Sequence, residues 1–128
     1  MLTIDGKDYN VLIKADSLEC DFNIAEGAGS LAFIDGDEDP DVIGTYYNYT
    51  LEIEPRQTAP EEYDALWEVL SAPVKYHTVT LPYGQSTLTF EARITSGSRA
   101  FRRRLAGVNY WGKMQITFKA KMPQRTPT

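Results

Sequence analysis

Cysteine and histidine occur once each, as Cys20 and His77. A lone cysteine rules out an internal disulfide framework and a cysteine-based zinc site. No apolar run approaches the ~20 residues of a membrane-spanning helix. The opening Met1-Leu2-Thr3-Ile4-Asp5-Gly6 has neither a basic segment nor an apolar one, so no classical signal peptide is expected. No nucleophile motif such as G-x-S-x-G occurs near His77, and no phosphate-cradling glycine loop is present. Gly27-Ala28-Gly29-Ser30 is too short a match to count. No internal repeat and no composition break marks a linker, so the 128 residues read as one domain.

What remains is ordinary for a globular chain: 42% hydrophobic and 24% charged residues, enough for a core. Thirteen basic and 18 acidic residues give a net charge of −5. An acidic chain is a poor non-specific binder of nucleic acid or membrane surfaces, because both attract lysine and arginine.

Periodicity supplies the elements. Leu2–Ile4 and Lys7–Ile13 flank Asp5-Gly6, a dipeptide suited to a tight hairpin turn. In Ser17–Ile24, Leu18, Cys20, Phe22 and Ile24 alternate with Glu19, Asp21 and Asn23, which predicts a strand with one buried face. On this phase Cys20 reads as a small buried apolar residue. Val42–Glu54 is the longest predicted strand, with Ile43, Thr45, Tyr47, Tyr49, Leu51 and Ile53 on one face. Thr58–Ser71 is the single predicted helix. Tyr63, Leu66, Trp67 and Leu70 form its apolar stripe, and Thr58 with Glu61 suggests a capping box. Strands are predicted over Val74–Leu81, Ser86–Thr95 and Lys113–Lys121. Ser98–Leu105 reads as a further strand or an irregular basic arm, and Gly107–Gly112 as a turn. Pro123–Thr128 reads as a frayed tail beyond a domain spanning 1–122. The sum is a mainly β fold, a sandwich or barrel of about seven strands flanked by one helix.

Three features stand outside this framework. Ala25–Asp41 is too long for an ordinary connection, and such loops usually serve a function. It carries Asp35, Asp37, Glu38, Asp39 and Asp41. Asp35-x-Asp37-x-Asp39 opens like an EF-hand loop, but Pro40 stands where glycine is required and Tyr46 where the closing glutamate belongs, so no metal is expected. Arg99, Arg102, Arg103 and Arg104 form a basic run beside Phe101. Acidic and basic patches on one chain would complement each other between copies if they lie at opposite ends of the fold. Third, Tyr46, Tyr47 and Tyr49 cannot all be core, because Tyr46 opposes the other two on a strand, and exposed tyrosine is frequent at contacts. Two other uses of these residues stay open. One is a carbohydrate- or surface-binding β-sandwich with Tyr46, Tyr83 or Trp111 as a stacking platform. The other is hydrolysis by paired acids among Glu52, Glu54, Glu61 and Glu62.

Five phrases, "DGKDYNV", "VIGTYYNYTLEIEP", "APEEYDALWEVLSAP", "VKYHTVTLP" and "GKMQITFKAKMPQRTP", together resemble small prophage-encoded tail proteins of Gram-positive gut bacteria. The resemblance covers roughly Asp5–Pro127 and departs in Ala25–Asp41 and in the arginine run. It implies a tail-tube-like fold and assembly into rings, often of six copies, that contact other tail proteins. It implies a place in the virion tail after synthesis in the bacterial cytoplasm. It brings no active site and no cofactor. On this reading Ala25–Asp41 is an assembly arm, and Asp35, Asp37, Glu38, Asp39, Asp41, Arg99, Arg102, Arg103, Arg104 and Tyr46 are candidates for contact with neighbours.

Overall fold

A computed structural model describes residues 2–26, 31–32, 38–39 and 42–126. In chain order the elements are β1 (Thr3–Ile4), β2 (Lys7–Asp8), β3 (Val11–Ile13), β4 (Glu19–Glu26), β5 (Leu31–Ala32), β6 (Glu38–Asp39) and β7 (Val42–Pro55). They continue with α1 (Pro60–Leu70), β8 (His77–Tyr83), β9 (Ser86–Arg93), β10 (Gly97–Leu105) and β11 (Val108–Ala120). The fold is mainly β with one helix, as the periodicity predicts.

One antiparallel sheet follows the path β2-β1-β8-β9-β11-β7-β3, with β10 added on β11 and β4 added on β7. It curls into a half-barrel. Two long strands make this possible, because each serves different partners along its length. β7 pairs with β3 near Pro55 and with β4 from Thr50 back to Val42. β11 pairs with β10 through Val108–Ile116 and with β9 at Lys119 and Ala120. Between them, Met114–Phe118 of β11 lies against Ile53–Tyr49 of β7. The core sits in the concave side: Tyr49, Leu51 and Ile53 of β7 face the same interior as Met114, Ile116 and Phe118 of β11, all buried. Each such side chain contributes about 1.5–3 kcal/mol by leaving water.

The helix closes the open side with Tyr63, Leu66 and Leu70 of the predicted stripe, while its fourth member, Trp67, is half-buried. Its start differs from the capping-box expectation. Ala59 holds the cap position with no side-chain hydrogen bond, and Pro60 fills the first helical position, where a missing N–H is harmless. The buried Tyr63 hydroxyl donates to the Gly112 carbonyl at 2.8 Å, tying helix to sheet. Burial pushes its pKa up to about 12. Ser71 ends the helix: its N–H and its hydroxyl both donate to the Trp67 carbonyl, at 3.0 and 2.7 Å.

Two turns depart from expectation. Lys7–Ile13 is split, because β2 pairs with β1 whereas β3 crosses to β7. Gly107–Gly112 is mostly strand. Only Ala106 and Gly107 turn, both at positive φ, as a two-residue hairpin requires.

The tail also differs. Pro127 and Thr128 lie outside the described residues, but Gln124 and Arg125 are fastened to β7. The Thr45 N–H donates to the Arg125 carbonyl at 2.8 Å. The Gln124 side chain accepts from the Tyr47 N–H at 2.9 Å and donates to the Tyr47 carbonyl at 3.0 Å. The tail thereby occupies the lane that β11 has left. Gly44 makes the approach possible: a Cβ there would collide with the Arg125 carbonyl oxygen and lie 2.6 Å from Pro123 Cβ. Gly44→Ala should therefore cost roughly 1–3 kcal/mol in urea unfolding, the usual range for overpacking. The same substitution in a chain ended before Pro123 should cost less, because only the strain of alanine at a φ of +158° then remains.

Candidate interaction surfaces

The offset between β7 and β11 shapes the surface. β11 finds β7 only from Met114 onward, so Val108–Lys113 pairs with β10 alone. Conversely, β7 from Val42 to Asn48 lies beyond the reach of β11 and pairs with β4. Because the two long strands run antiparallel, these overhangs leave the body at opposite ends. The β10–β11 overhang is a two-stranded ribbon, and the β4–β7 ribbon carries the tail along the other flank of β7.

The β4–β7 ribbon corrects one expectation. Cys20, Phe22 and Ile24 do share a face with Tyr49 and Tyr47, as alternation predicts. Only the root of that face is covered. Cys20 is exposed, and Phe22 and Ile24 stand 67% and 53% exposed, with Ile43 uncovered near them. The phase is that of a core strand, but among the described residues no core extends that far. The β10–β11 ribbon is similarly bare. Leu105 pairs with Val108 and Arg103 with Tyr110, so these four share a face, and all are exposed.

The basic run divides between two roles. Arg99 turns inward, with a side chain 16% exposed. Its guanidinium lies 3.9 Å from the Trp111 ring centroid and 4.7 Å from that of Trp67, and donates to Asp64 Oδ1 at 2.9 Å. It is a fastener between helix and ribbon. Arg102, Arg103 and Arg104 stay on the exposed ribbon. Arg103 lies over Tyr110, and Arg104 donates to Asn109 Oδ1 at 2.9 Å.

Of the acidic candidates, Asp35, Asp37 and Asp41 lie outside the described residues, as does most of the Ala25–Asp41 segment. Glu38 and Asp39 form β6, paired with Leu31 and Ala32. Along the chain all five fall between β4 and β7. Tyr46 is half-buried across from Asn23. The three aromatics considered as a sugar platform do not converge. Tyr83 packs edge-on against Tyr47, which points away from Tyr46, and the Trp111 face is covered by Arg99.

The remaining polar groups serve the fold. His77 is buried, and its Nδ1–H donates to Asp5 Oδ2 at 2.7 Å. Asp5 Oδ1 accepts from the Thr78 N–H at 2.9 Å. Burial alone would raise the Asp5 pKa, but the bonds from His77 and Thr78 outweigh it and hold the carboxyl below its ordinary value. Glu52 sits between Lys14 and Lys113, at 3.6 and 3.5 Å. Partial desolvation opposes its ionisation, and the two ammonium groups more than reverse that. Among the described residues no three His, Cys, Asp or Glu side chains cluster as a metal site would need. A groove of about 350 Å³ runs between the helix end and the β9–β10 bend, lined by Trp67, Leu70, Val74, Ile94 and Ile116 without an ionisable group.

One signal in the sequence escapes a motif search. Every Asp and Glu precedes Ala92, whereas nine of the 13 Lys and Arg follow Glu91. The fold converts this asymmetry into an acidic flank, where β4 carries Glu19 and Asp21, and a basic one, where β10 carries its arginines. No family model matches the chain, and no curated protein shows significant sequence similarity to it.

Two substitutions follow from these contacts. Arg99→Ala should lower unfolding free energy by about 1–2 kcal/mol, through lost stacking, whereas alanine at Arg102, Arg103 or Arg104 should change it by less than about 0.5 kcal/mol. Asp5→Ala should destabilise the protein at neutral pH. Because the folded pKa lies below the unfolded one, that contribution is complete above about pH 4 and fades as pH falls through the folded value. Urea unfolding at pH 7 and pH 3 should show the gap between wild type and Asp5→Ala narrowing in acid.

Proposed function

We propose that this protein is a self-assembling structural component of a phage tail or a related injection apparatus, closing into rings and contacting neighbouring tail proteins. The observation that carries the reading is a pair of strand edges, β4 and β10, that have no strand partner on their outer sides among the described residues. They bound the four-strand order β10-β11-β7-β4 on opposite sides. Every neighbouring pair in that order is antiparallel. β4 and β10 therefore run in opposite directions. Because β4 and β10 lie at opposite ends of the β7–β11 pair, a neighbouring copy brings its β10 beside the first copy's β4 only when it is displaced along the strands as well, as in a ring whose axis is inclined to them; the antiparallel alternation then continues across the join.

The physical incentive is strong. An open edge is a row of hydrogen-bonding groups that invites uncontrolled pairing, and closing a ring covers both of these edges at once. Opposite charge on the two edges favours pairing of unlike edges over like ones: Glu19 and Asp21 on β4, Arg102–Arg104 on β10. The resemblance to prophage tail proteins supports the same reading, and the number of copies per ring is taken from it alone.

Sedimentation velocity across a concentration series, with negative-stain microscopy of the largest species, tests this. The expected result is a closed ring of fixed mass that changes little with further concentration. A chain that stays monomeric into the high micromolar range would remove the reading. Quenching of Trp111 fluorescence by a sugar would replace it with carbohydrate binding.

A further inference from the structure

We infer that the edge of β7 over residues 44–47 is a peptide-accepting site, and that the chain's own residues 123–125 are a releasable strap that holds it shut. The partner this site fits is an extended segment with proline, glutamine and arginine in succession. The inference goes beyond the ring reading and does not depend on it, because ring closure uses β4 and β10.

The edge offers four backbone groups. Before Tyr49, β7 has no pairing with β11, while β4 still covers its other flank. The N–H and carbonyl of Thr45 and of Tyr47 face the vacated lane, and the strap meets all four. The Thr45 N–H donates to the Arg125 carbonyl at 2.8 Å, and the Thr45 carbonyl accepts from the Gln124 N–H at 2.9 Å. At Tyr47 the Gln124 carboxamide does the same work, accepting from the N–H at 2.9 Å and donating to the carbonyl at 3.0 Å. One side chain thus stands in for a strand residue. In strand addition of this kind, main-chain bonds supply affinity and side chains supply selection. Three successive residues select here. Pro123 packs over Gly44, where an added Cβ would lie 2.6 Å from the Pro123 Cβ. Gln124 satisfies Tyr47. Arg125 reaches the Tyr47 hydroxyl, and that phenol is held below its ordinary range by the Tyr83 hydroxyl first and by Arg125 second.

The strap is held by these bonds and not by the core. The buried cluster reaches Phe118, with Ala120 packed against it, and includes no residue of the strap. Met122, which joins the strap to β11, is 64% exposed. Arg125 is exposed too, and Pro123 and Gln124 are only half-buried. Beyond the strap lies a cavity of about 260 Å³, bounded on its other side by Leu88, Thr89, Phe90 and Glu91 of β9. The strap is therefore fastened along one flank. Segments with few buried apolar contacts open locally while the body stays folded. Opening here would leave four unmet groups beside Gly44, and a bare edge is a template for an extended chain. A second segment of the same pattern would meet every group that the strap meets.

The test uses the full chain. Gln124→Ala removes both bonds to Tyr47 and leaves the accepting edge untouched. Amide hydrogen exchange, read residue by residue by NMR, should quicken at least about tenfold at Thr45 and Tyr47, as the loss of two hydrogen bonds requires. Leu51 and Ile53 of the same strand should exchange as slowly as in wild type. A labelled peptide of residues 121–128, Lys-Met-Pro-Gln-Arg-Thr-Pro-Thr, should then restore slow exchange at Thr45 and Tyr47. By fluorescence anisotropy it should bind Gln124→Ala at least about tenfold more tightly than wild type, whose own strap competes. The same peptide with alanine in place of glutamine should bind at least about tenfold more weakly. Quickening at Leu51 and Ile53 as well would make the strap part of the body and overturn the inference. So would unchanged exchange at Thr45 and Tyr47, a peptide that fails to restore it, or an alanine peptide that restores it equally. None of these outcomes bears on the ring reading, which sedimentation decides.

Discussion

The register between β7 and β11 is the constraint from which the rest follows. Five paired positions, Met114–Phe118 against Ile53–Tyr49, hold the half-barrel together. Sliding β11 by one residue would turn Met114, Ile116 and Phe118 away from the interior and expose Gln115 and Thr117 to it. The buried faces of both strands therefore fix the pairing, and the pairing fixes how far each strand overhangs. Ribbons, free edges and the lane taken by the tail all derive from that one offset.

Much of this was legible in the residues. Strict alternation in Val42–Glu54 and Lys113–Lys121 identified the two central strands and their inward faces. The Tyr63, Leu66 and Leu70 stripe identified the helix. Periodicity reports which residues share a face, and it does not report whether anything lies against that face. Phe22 and Ile24 show the difference: their phase is right and their burial is not. Cys20 repeats the lesson at the root of the same strand. The capping box failed for a related reason, since Pro60 fits the first helical position without help from Thr58.

The arginines show a second limit. Nothing in the string of residues separates Arg99 from Arg102, Arg103 and Arg104. The separation comes from packing: Arg99 lies where α1 brings Trp67 and Asp64 within reach, and the other three have passed beyond the helix. Charge asymmetry along the chain was readable, but its meaning depended on the fold sending early and late residues to opposite flanks. A closed sheet with intermixed strands would have cancelled it.

The order of synthesis gives the late position of β11 a further consequence. β7 and β9 leave the ribosome well before the strand that fills the gap between them. Until β11 emerges, β7 presents an unpaired flank from Tyr49 to Ile53, and the concave side lacks Met114, Ile116 and Phe118. The chain therefore passes through a stage in which it is stickier than the finished product, and the nascent protein is most in need of shielding just before its final strand arrives.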